Sequence, residues 1–568
     1  MLKKIVESII GSKSERALKT IQPVVDQINS LEEGISQLTD SQRKDKKMSE
    51  NREKTFISRR GFIKGTAAGV GSLALVHLGG REVQAAPPPK KWDREVNVLI
   101  IGCGVAGCAA AIAASDAGEK SVLVLEKMPY PGGAGLLSSG TVMAAGTDLQ
   151  KAAGIQDSNE LWYKDTMTTS ANGVNPKLAR KLIDNALDTY HFLQSAGLKW
   201  SNVDPLPGYT VDRCYREANG GAKLMKALTG EVRKRKVPIL LETKATKLFM
   251  DNCGLDYPQG EVAGIECVSE KGKVMNIKVK KAVLICTGDF AANAAYIEGH
   301  FPELKGSIFV GHPGNTGDGI RMAQKLGADI TGYSPEGHPH CVEVSPGKYT
   351  LWCRYDLLAR SGLILVDKGG RRFCDEIVKG HYTPLMPEVQ KVDNQFVCIF
   401  DDAAAKDMAV NPRLSTNFRG QQDLFLKGIA GEGTIIKKGA TLEELAQKLG
   451  IDPAGLKKTV AVYNEAVAKK EDPEFRRNPK YLIGLNTPPF YGWKGLVGIV
   501  MTMGGLRIND ESHVLDPDMQ IIPRLYAAGH VAGGYTNSVG YRSGWHLTNA
   551  ITFGRLAGVR IAKLKPWA

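Results

Sequence analysis

Residues Val96–Glu126 read VNVLIIGCGVAGCAAAIAASDAGEKSVLVLE, and this stretch decides the fold of the chain. It begins with one apolar run, Val96–Ile101, and ends with a second, Val122–Leu125. Glycines at GxGxxG spacing and an alanine-rich segment lie between the two runs. This order predicts a strand, a tight turn, a helix and a second, parallel strand.

Each glycine of the turn has a separate structural reason. Gly102 permits the tight turn, Gly104 lets a ligand approach the backbone, and Gly107 lets helix and strand pack closely. The N–H groups at the start of the helix bind phosphate well. Glu126, at the end of the second strand, can accept hydrogen bonds from ribose hydroxyls. The stretch therefore predicts a dinucleotide site, and an ordinary glycine-rich turn is the alternative.

Composition limits the class of protein. The 568 residues are 43% hydrophobic and 24% charged, which is typical of a globular protein with two or three domains. The net charge is +14, but the sequence has no basic stripe with interleaved aromatics, so we predict no nucleic-acid partner. The ten cysteines form no CxxC pair and no CxxCH, so we expect neither a zinc or iron–sulfur centre nor a c-type haem.

The first 47 residues differ from the rest. Residues 1–42 have helical periodicity and resemble the N-terminal start of the preprotein translocase ATPase, without any of that enzyme's nucleotide motifs. We predict a helical N-terminal extension over 1–47. It is either a fused helical hairpin or a segment upstream of the true start, since Met48 opens a complete targeting peptide.

That targeting peptide covers residues 48–85. The stretch SRRGFIK, Ser58–Lys64, resembles the twin-arginine export motif. A weakly apolar stretch, Gly65–Gly80, follows, and Val83–Ala85 is a small-residue cleavage site. The sequence thus predicts an exported, periplasmic or extracytoplasmic protein with the twin-arginine translocase as a partner. Residues 86–92 contain three prolines and form a predicted linker.

The later segments alternate between helical and strand patterns. Helices are predicted over 160–198, 220–232, 320–326 and 547–562. Strands are predicted over 237–241, 244–250, 261–268 and 274–279, as a small sheet, and over 282–287 as a separate buried strand. The fold class is therefore α/β. We predict a Rossmann-like nucleotide-binding domain over 93–334 and 485–568, interrupted by an α+β capping domain over 335–484.

Glycine-bearing strand ends recur along the chain, at 102–107, 287–288, 314–319 and 528–534. A nicotinamide enzyme normally binds its cofactor with one local βαβ unit. Glycine turns spread over the chain suit a large prosthetic group held from several sides. This distribution favours a flavin over a nicotinamide.

The motifs GCGVAG, VLEK, PGGAG, LICTGDF, NTGDG, LYAAGHVAGG and NAITFGRLAG occur in that order. Together they resemble the fumarate reductase/succinate dehydrogenase flavoprotein family, which includes flavocytochrome c fumarate reductases, urocanate reductase and 3-ketosteroid dehydrogenases. The resemblance covers about 95–568 and implies FAD, a mobile cap and an active site between cap and flavin. Residues 127–146 contain no histidine that could attach to FAD covalently, so the resemblance implies that FAD is bound non-covalently. The predicted cofactor-binding residues are Gly102, Gly104, Val105, Ala106, Gly107, Glu126, Lys127, Gly132, Gly133, Ala134, Gly140, Thr287, Gly288, Gly317, Asp318, Gly319, Gly529, His530 and Gly544.

The substrate side matches the family in part. Arg542 matches the substrate-binding arginine before the last helix, and Arg360 matches the RGxG arginine of the proton-delivery route. Met501 stands where the family has a substrate-contacting histidine, and no arginine occupies the position of the catalytic acid, near Gly380. These departures argue against fumarate itself as the substrate.

Several other groups are possible proton donors. His381 and Tyr382 lie beside Gly380 in the sequence, and Tyr541 matches a tyrosine of the ketosteroid dehydrogenases. His338 resembles a histidine-proline segment of the family. An ordinary packing or surface role is the alternative for each of them.

The resemblance implies an enzyme that reduces the C=C bond of an α,β-unsaturated carboxylate or enone, as an anaerobic electron sink. Its electrons would come from a separate cytochrome or quinol-linked donor, because the chain carries no haem motif. One alternative is a dehydrogenase that introduces a C=C bond into a ketone or steroid-like substrate. Another is a catalytically degenerate flavoprotein that only transfers electrons or binds a ligand.

Overall fold

The GxGxxG stretch lies in the middle of a large sheet in the structure, a computed structural model. The residues described are 86–170, 173–200, 202–204, 209–217, 220–251, 260–304, 307–345, 348–351, 358–377, 385–410, 422–432, 434–535 and 544–567. The extension and targeting peptide predicted over 1–85 lie outside these residues.

The strands of the described residues fall into three sheets. In chain order they are β1 (Arg94–Ile101), β2 (Val122–Leu125), β3 (Thr141–Met143), β4 (Cys214–Arg216), β5 (Ile239–Leu240), β6 (Thr243–Asp251), β7 (Glu261–Ser269), β8 (Val274–Ile285), β9 (Ile308–Phe309), β10 (Ile330–Ser345), β11 (Lys348–Leu351), β12 (Ile364–Val366), β13 (Gln395–Asp401), β14 (Lys437–Gly439), β15 (Phe490–Arg507), β16 (His513–Leu515), β17 (Ile521–Ala527) and β18 (Ala532–Gly533).

The helices cover the sheets and connect their strands. In chain order they are α1 (Val105–Asp116), α2 (Asp148–Ala152), α3 (Asn159–Thr169), α4 (Pro176–Asp184), α5 (Ala186–Ser195), α6 (Gly220–Lys234), α7 (Ala294–His300), α8 (Asp318–Gln324), α9 (Met386–Gln390), α10 (Asp402–Val410), α11 (Gln422–Ala430), α12 (Leu442–Leu449), α13 (Pro453–Lys469) and α14 (Trp545–Ala562). None of the helices described here is long and apolar enough to cross a membrane.

The first sheet has the order β16-β17-β8-β1-β2-β5. Its central strands β17, β8, β1 and β2 are parallel, and α1 connects β1 to β2 as predicted. The middle of β1, Val98 to Ile100, is fully buried, as expected for a parallel strand covered on both faces. The predicted α/β class with a parallel sheet is confirmed.

The last helix packs directly on the first. A Cβ at Gly554 of α14 would lie 2.4 Å from the carbonyl oxygen of Ala106, and one at Gly558 would lie 2.4 Å from that of Ala110. The glycines therefore let the two helix backbones meet without intervening side chains. The two ends of the described chain are thereby joined in one core.

The predictions for the middle of the chain need two corrections. The strands predicted over 274–279 and 282–287 form one continuous strand, β8. The first half of β8 pairs antiparallel with β7 and the second half pairs parallel with β17. One unbroken strand can therefore take part in both pairings. For the same reason the predicted small sheet is not separate: β6 and β7 extend the first sheet through β8, and β5 pairs with β2.

A second sheet, with the path β11-β10-β15-β13-β12, contains the strands of the segment predicted as a cap. Along this path the neighbouring strands are antiparallel. The predicted boundary at 334/335 falls inside β10, and β15 pairs with β13 through its first half and with β10 through its second. The domain boundaries stay predictions.

Candidate functional site

Three strands of the first sheet end side by side and define the site. The carboxyl ends of β1, β8 and β17 are adjacent, since Ile101 pairs with Ile285 and Ile285 pairs with Ala527. In open α/β sheets, ligands bind outside this edge. The segments that follow the three strands are those in which the sequence predicted cofactor-binding glycines.

The three glycines of the first turn differ in what surrounds them. Gly102 has a φ of +107°, and a Cβ there would lie 2.3 Å from the carbonyl oxygen of Cys286. A Cβ at Gly107 would lie 1.9 Å from the carbonyl oxygen of Gly102. At Gly104 the nearest atom would be the Gly132 oxygen, 3.9 Å away. The protein thus needs Gly102 and Gly107 for its own packing, whereas Gly104 leaves a space.

That space lies at the start of a helix. Within the described chain, α1 begins at Val105 with Gly104 as N-cap and without a side-chain cap. Its first turn, which includes Ala106, also has no acidic residue. Uncapped N–H groups at a helix N-terminus attract anions. The space at Gly104 therefore fits a pyrophosphate.

A second glycine-rich segment faces this turn. The N–H of Gly132 donates to the carbonyl oxygen of Cys103 over 2.8 Å, and a Cβ at Gly133 would lie 3.3 Å from the Cα of Gly104. Ala134 follows in a short 3-10 turn over Gly133–Leu137. Farther along, Gly140 has a φ of +68°. The structure thus places this predicted loop against the phosphate turn.

Glu126 lies at the end of β2 and is buried. Its Oε2 accepts from the N–H of Cys103 and its Oε1 from the N–H of Met128, each over 2.9 Å. Burial raises the pKa of the Glu126 carboxyl, and the two N–H donors oppose that effect. The carboxylate is thus fixed beside the glycine turn, where the sequence predicted a ribose contact.

Lys127 and Asp318 contact each other. The Nζ of Lys127 lies 2.8 Å from Oδ2 of Asp318 and donates to Thr316 over 2.6 Å. Arg321 and Lys244 lie 2.7 and 3.2 Å from the other carboxylate oxygen. Burial favours the neutral acid, but Lys127, the hydroxyl of Thr316 and Lys244 outweigh it and lower the pKa of Asp318 to about 2. The pair joins the end of β2 to α8, and direct cofactor binding by either residue stays a prediction.

The glycines around α8 bring it close to the end of β8. Gly317 caps α8 with a φ of +74°, and a Cβ at Gly319 would lie 2.3 Å from the Oγ1 of Thr287. A Cβ at Gly288 would lie 2.6 Å from Oδ1 of Asn315. These predicted cofactor residues therefore line one junction between β8 and the 314–319 loop.

Asp289 is a residue of this site that the sequence analysis missed. It is fully buried, and its Oδ2 accepts from the Nδ2 of Asn315 over 2.7 Å. The same Oδ2 lies 3.5 Å from Nδ1 of His530, which follows Gly529 at the end of β17. The His530 ring in turn contacts the ring of His546, with 4.7 Å between centroids. An acid directly after a strand-terminal glycine was the signal available in the LICTGDF motif.

Several buried polar atoms at this edge have no hydrogen-bond partner among the described residues. They are Oγ1 of Thr287, Nε2 of His312, and both Oδ1 and Nδ2 of Asn549. Burial, with Lys127 nearby, lowers the pKa of His312. Buried polar atoms normally find a partner in a protein or its ligand. With the space at Gly104, these atoms fit a large polar cofactor such as FAD.

Six residues were predicted for catalysis. Tyr541, Arg542, His381 and Tyr382 lie outside the described residues. Gly544, predicted to bind the cofactor, is the N-cap of α14 with a φ of +91°.

Two further predicted residues lie in the second sheet and beside it. The backbone of His338 belongs to β10, where it pairs with Gly498 of β15. Arg360 is exposed, on a short 3-10 turn, with its guanidinium 5.3 Å from the ring centre of Tyr481. Its role in proton delivery stays a prediction.

A buried pair of arginines near Arg360 was also missed. Arg372 donates to both carboxylate oxygens of Glu376 over 3.0 Å and to Asp472 over 3.0 Å. Arg477 donates to the carbonyl oxygens of Ala359 and Leu363, over 2.5 and 3.1 Å, on either side of Arg360. The sequence offered no signal for this cluster, because its members come from segments about 100 residues apart.

Strand order, glycine turns and unsatisfied polar atoms define a dinucleotide-binding α/β protein of the flavoprotein class. A family model described as "FAD binding domain" matches residues 97–542. The chain belongs to this family. Together with its similarity to reductases and dehydrogenases that act on C=C bonds, this makes it a FAD-dependent oxidoreductase. The predicted resemblance to the flavoprotein family and the prediction of FAD are confirmed, and the non-covalent attachment of FAD stays a prediction.

Known proteins resemble the chain over most of its length. NADH:fumarate oxidoreductase of Klebsiella pneumoniae (strain 342) is 31% identical over 480 residues, which are 84% of this chain and 48% of that protein. The chain thus spans about half the length of this relative.

Two solved structures have the same fold. The open conformation of a flavocytochrome c3 fumarate reductase is 28% identical with a TM-score of 0.71, covering 83% of this chain and 79% of the other. A 3-ketosteroid-Δ4-(5α)-dehydrogenase from Rhodococcus jostii RHA1 with 4-androstene-3,17-dione is 27% identical with a TM-score of 0.65, covering 85% and 100%.

Proposed function

We propose that the protein is an exported reductase of the C=C bond of an α,β-unsaturated carboxylate or enone, working as an anaerobic electron sink. The observation that carries the proposal is the similarity to a fumarate reductase structure over 83% of this chain. Bound FAD supplies a hydride from its N5. The chain must bind the substrate, exclude water and deliver one proton to the neighbouring carbon.

The chain's own residues divide these tasks. In the proposal, Arg542 binds the substrate carboxylate or carbonyl, because a fixed cation stabilises the negative charge that develops there. Tyr541, His381, Tyr382 and His338 are the proposed sources of the proton. FAD is held without a covalent bond, so acid precipitation of the protein should release all of the flavin.

Reduced methyl viologen tests the reaction. The purified holoenzyme should reoxidise the dye with at least one member of a panel of enoates and enones. Arg542→Ala should keep the flavin spectrum and lose at least about a hundredfold in turnover, the scale of one lost transition-state donor. Unchanged turnover in this variant would exclude Arg542 from the site.

The reverse reaction is the second proposed function. It is supported by the similarity to a ketosteroid dehydrogenase that aligns over its whole length. The test is reduction of an artificial electron acceptor by saturated 3-ketosteroids and simpler ketones. Activity here without activity in the viologen assay would favour the dehydrogenase. Absence of activity in both assays would favour a flavoprotein that only transfers electrons or binds a ligand.

Buried cysteines support export in the folded state. Cys103, Cys108, Cys267, Cys286 and Cys374 are buried thiols in the described part of the chain, outside any disulfide. Thiols of a chain that folds in an oxidising compartment tend to pair. Export after folding through the twin-arginine translocase would keep them reduced. Replacing Arg59 and Arg60 by lysine should retain the protein in the cytoplasm of a producing bacterium, as fractionation would show.

The electron donor in this proposal is a separate cytochrome or quinol-linked protein. The sequence contains no CxxCH, so the chain itself offers no attachment site for c-type haem. Membranes from the producing organism should reduce the bound flavin when a quinol is supplied. Failure of reduction by both membranes and soluble cytochromes would contradict this donor class.

A further inference from the structure

Asp289, His530 and His546 form a row of polar side chains at the edge where FAD binds. Asp289 follows β8, His530 follows β17, and His546 is the second residue of α14. Oδ2 of Asp289 lies 3.5 Å from Nδ1 of His530, and the two histidine rings meet edge to face at 4.7 Å. Three separate segments therefore meet at His530.

The row of Asp289, His530 and His546 lies beside the first turn of α1, at the space proposed for the pyrophosphate. A Cβ at Gly529, the residue before His530, would lie 3.1 Å from the Cβ of Ala106 in the first turn of α1. On the other side, Gly288 precedes Asp289 in the junction with the 314–319 loop. His530 thus lies between two segments of the cofactor edge and keeps 19% of its side-chain surface exposed.

The groups around His530 fix its orientation and its electrostatics. Asp289 is held by the Nδ2 of Asn315 and by the N–H of Ala291, over 2.7 and 2.8 Å, so its carboxylate cannot turn away. His546 faces His530 from α14. His312 lies on the same loop as Asn315, and the negative charge of Asp289 opposes the lowering of its pKa by burial.

A carboxylate that orients an imidazole also stabilises its protonated form. Two-electron reduction adds negative charge to a flavin, and a nearby imidazolium compensates negative charge. Histidine is the side chain whose ordinary pKa, about 6.5, lies in the physiological range. Its charge can therefore change with the redox state of a neighbouring cofactor.

We propose that His530, oriented by Asp289, takes up one proton from solvent when the bound FAD is reduced and releases it on reoxidation. The cofactor receives the two electrons from the reductant, and His530 carries the additional proton. His530 would thereby make the midpoint potential of the flavin more dependent on pH. This inference depends on the FAD site alone and not on the substrate.

The test is the midpoint potential of the full-length holoenzyme between pH 6 and 8, measured by dye-coupled spectroelectrochemistry. Each proton taken up with two electrons contributes about 30 mV per pH unit. His530→Gln should lose one such contribution over part of this range. His191→Gln, at an exposed histidine of α5, should keep the wild-type slope.

Two outcomes would overturn the proposal. One is an identical slope in His530→Gln and the wild type. The other concerns Asp289→Asn, which also decides the case if His530→Gln fails to retain FAD. The asparagine keeps the shape of the side chain but removes the charge that favours the imidazolium, so the pH at which the slope changes should fall. An unchanged profile in Asp289→Asn would exclude the coupling.

Discussion

Two buried polar regions of this protein differ in one respect. Around Arg213, which is fully buried, the guanidinium donates through Nε and one terminal nitrogen to Asp157 and through the other to Asp165, over 2.7–3.0 Å. At the carboxyl edge of the first sheet, Thr287, His312 and Asn549 keep polar atoms without a partner among the described residues. The polar groups of the first region are satisfied within the protein, whereas those of the second region are candidates for contact with FAD, the cofactor of the family.

Buried polar groups around Arg213 stabilise the fold, whereas those at the carboxyl edge are proposed to bind the cofactor. Burial alone lowers the pKa of the Arg213 guanidinium, but the two aspartates outweigh burial and raise it, so the charge stays. A cluster of this kind stabilises the fold only while all its members are present. For the carboxyl edge of the first sheet, we propose that bound FAD supplies the partners of these polar atoms. Each of the following variants tests one side of this contrast.

The largest effect is expected for Arg213→Met. It leaves Asp157 and Asp165 buried without a counter-charge, which costs about 3–5 kcal/mol of folding free energy. The denaturation midpoint should fall strongly with and without FAD. Arg216→Met is the control, because Arg216 is exposed and its ion pair should contribute at most about 1 kcal/mol. Equal effects of the two variants would contradict the assignment.

Gly104→Ala should act on the cofactor and spare the fold. The added methyl meets no protein atom closer than 3.9 Å but occupies the proposed pyrophosphate space. Overpacking of this kind costs about 1–3 kcal/mol, which is roughly a tenfold to hundredfold rise in the FAD Kd. Apoprotein stability should stay the same. By contrast, Gly107→Ala should destabilise the apoprotein, because its Cβ would lie 1.9 Å from the Gly102 oxygen.

Asp318 should make the protein sensitive to acid. Its folded-state pKa of about 2 lies below the ordinary 3.8, so its stabilising effect is complete above about pH 4 and is lost as pH falls towards 2. With partly exposed cations as partners, the loss should be about 1–2 kcal/mol. The stability difference between wild type and Asp318→Asn should shrink over that range in urea titrations. A constant difference would show that the Lys127–Asp318 pair does not stabilise the fold.

The smallest expected effect has the opposite sign. Asn549→Leu removes two buried polar atoms that lack partners in the described apoprotein, so the apoprotein should gain about 1 kcal/mol. FAD affinity should fall in the same variant. Asn464→Leu is the matched control, because Asn464 exchanges hydrogen bonds with the backbone of Leu485 and its loss should destabilise. Destabilisation of the apoprotein by Asn549→Leu would contradict the inference that burial of the Asn549 amide costs the apoprotein stability.

The local backbone patterns at the carboxyl edge of the first sheet were largely predictable from the sequence, whereas cofactor binding by these residues stays a prediction. The glycine turn, Glu126 and the strand ends at Thr287 and Gly529 are local patterns, and each pattern needs only its immediate neighbours to form. The partners of Lys127 were not predictable. Its contact with Asp318 joins residues 191 positions apart, and no spacing rule connects them.

By itself, the sequence determined a βαβ unit with a glycine turn and the α/β class, and it predicted FAD, the cofactor of the family. Periodicity and glycine spacing are local properties, so they can be recognised before the fold is known. Only the tertiary structure decided that β8 is one strand, that Gly104 alone among the three turn glycines leaves a space, and that Asp289 meets His530. These features depend on which strand ends become neighbours, and that is set by the packing of the whole sheet.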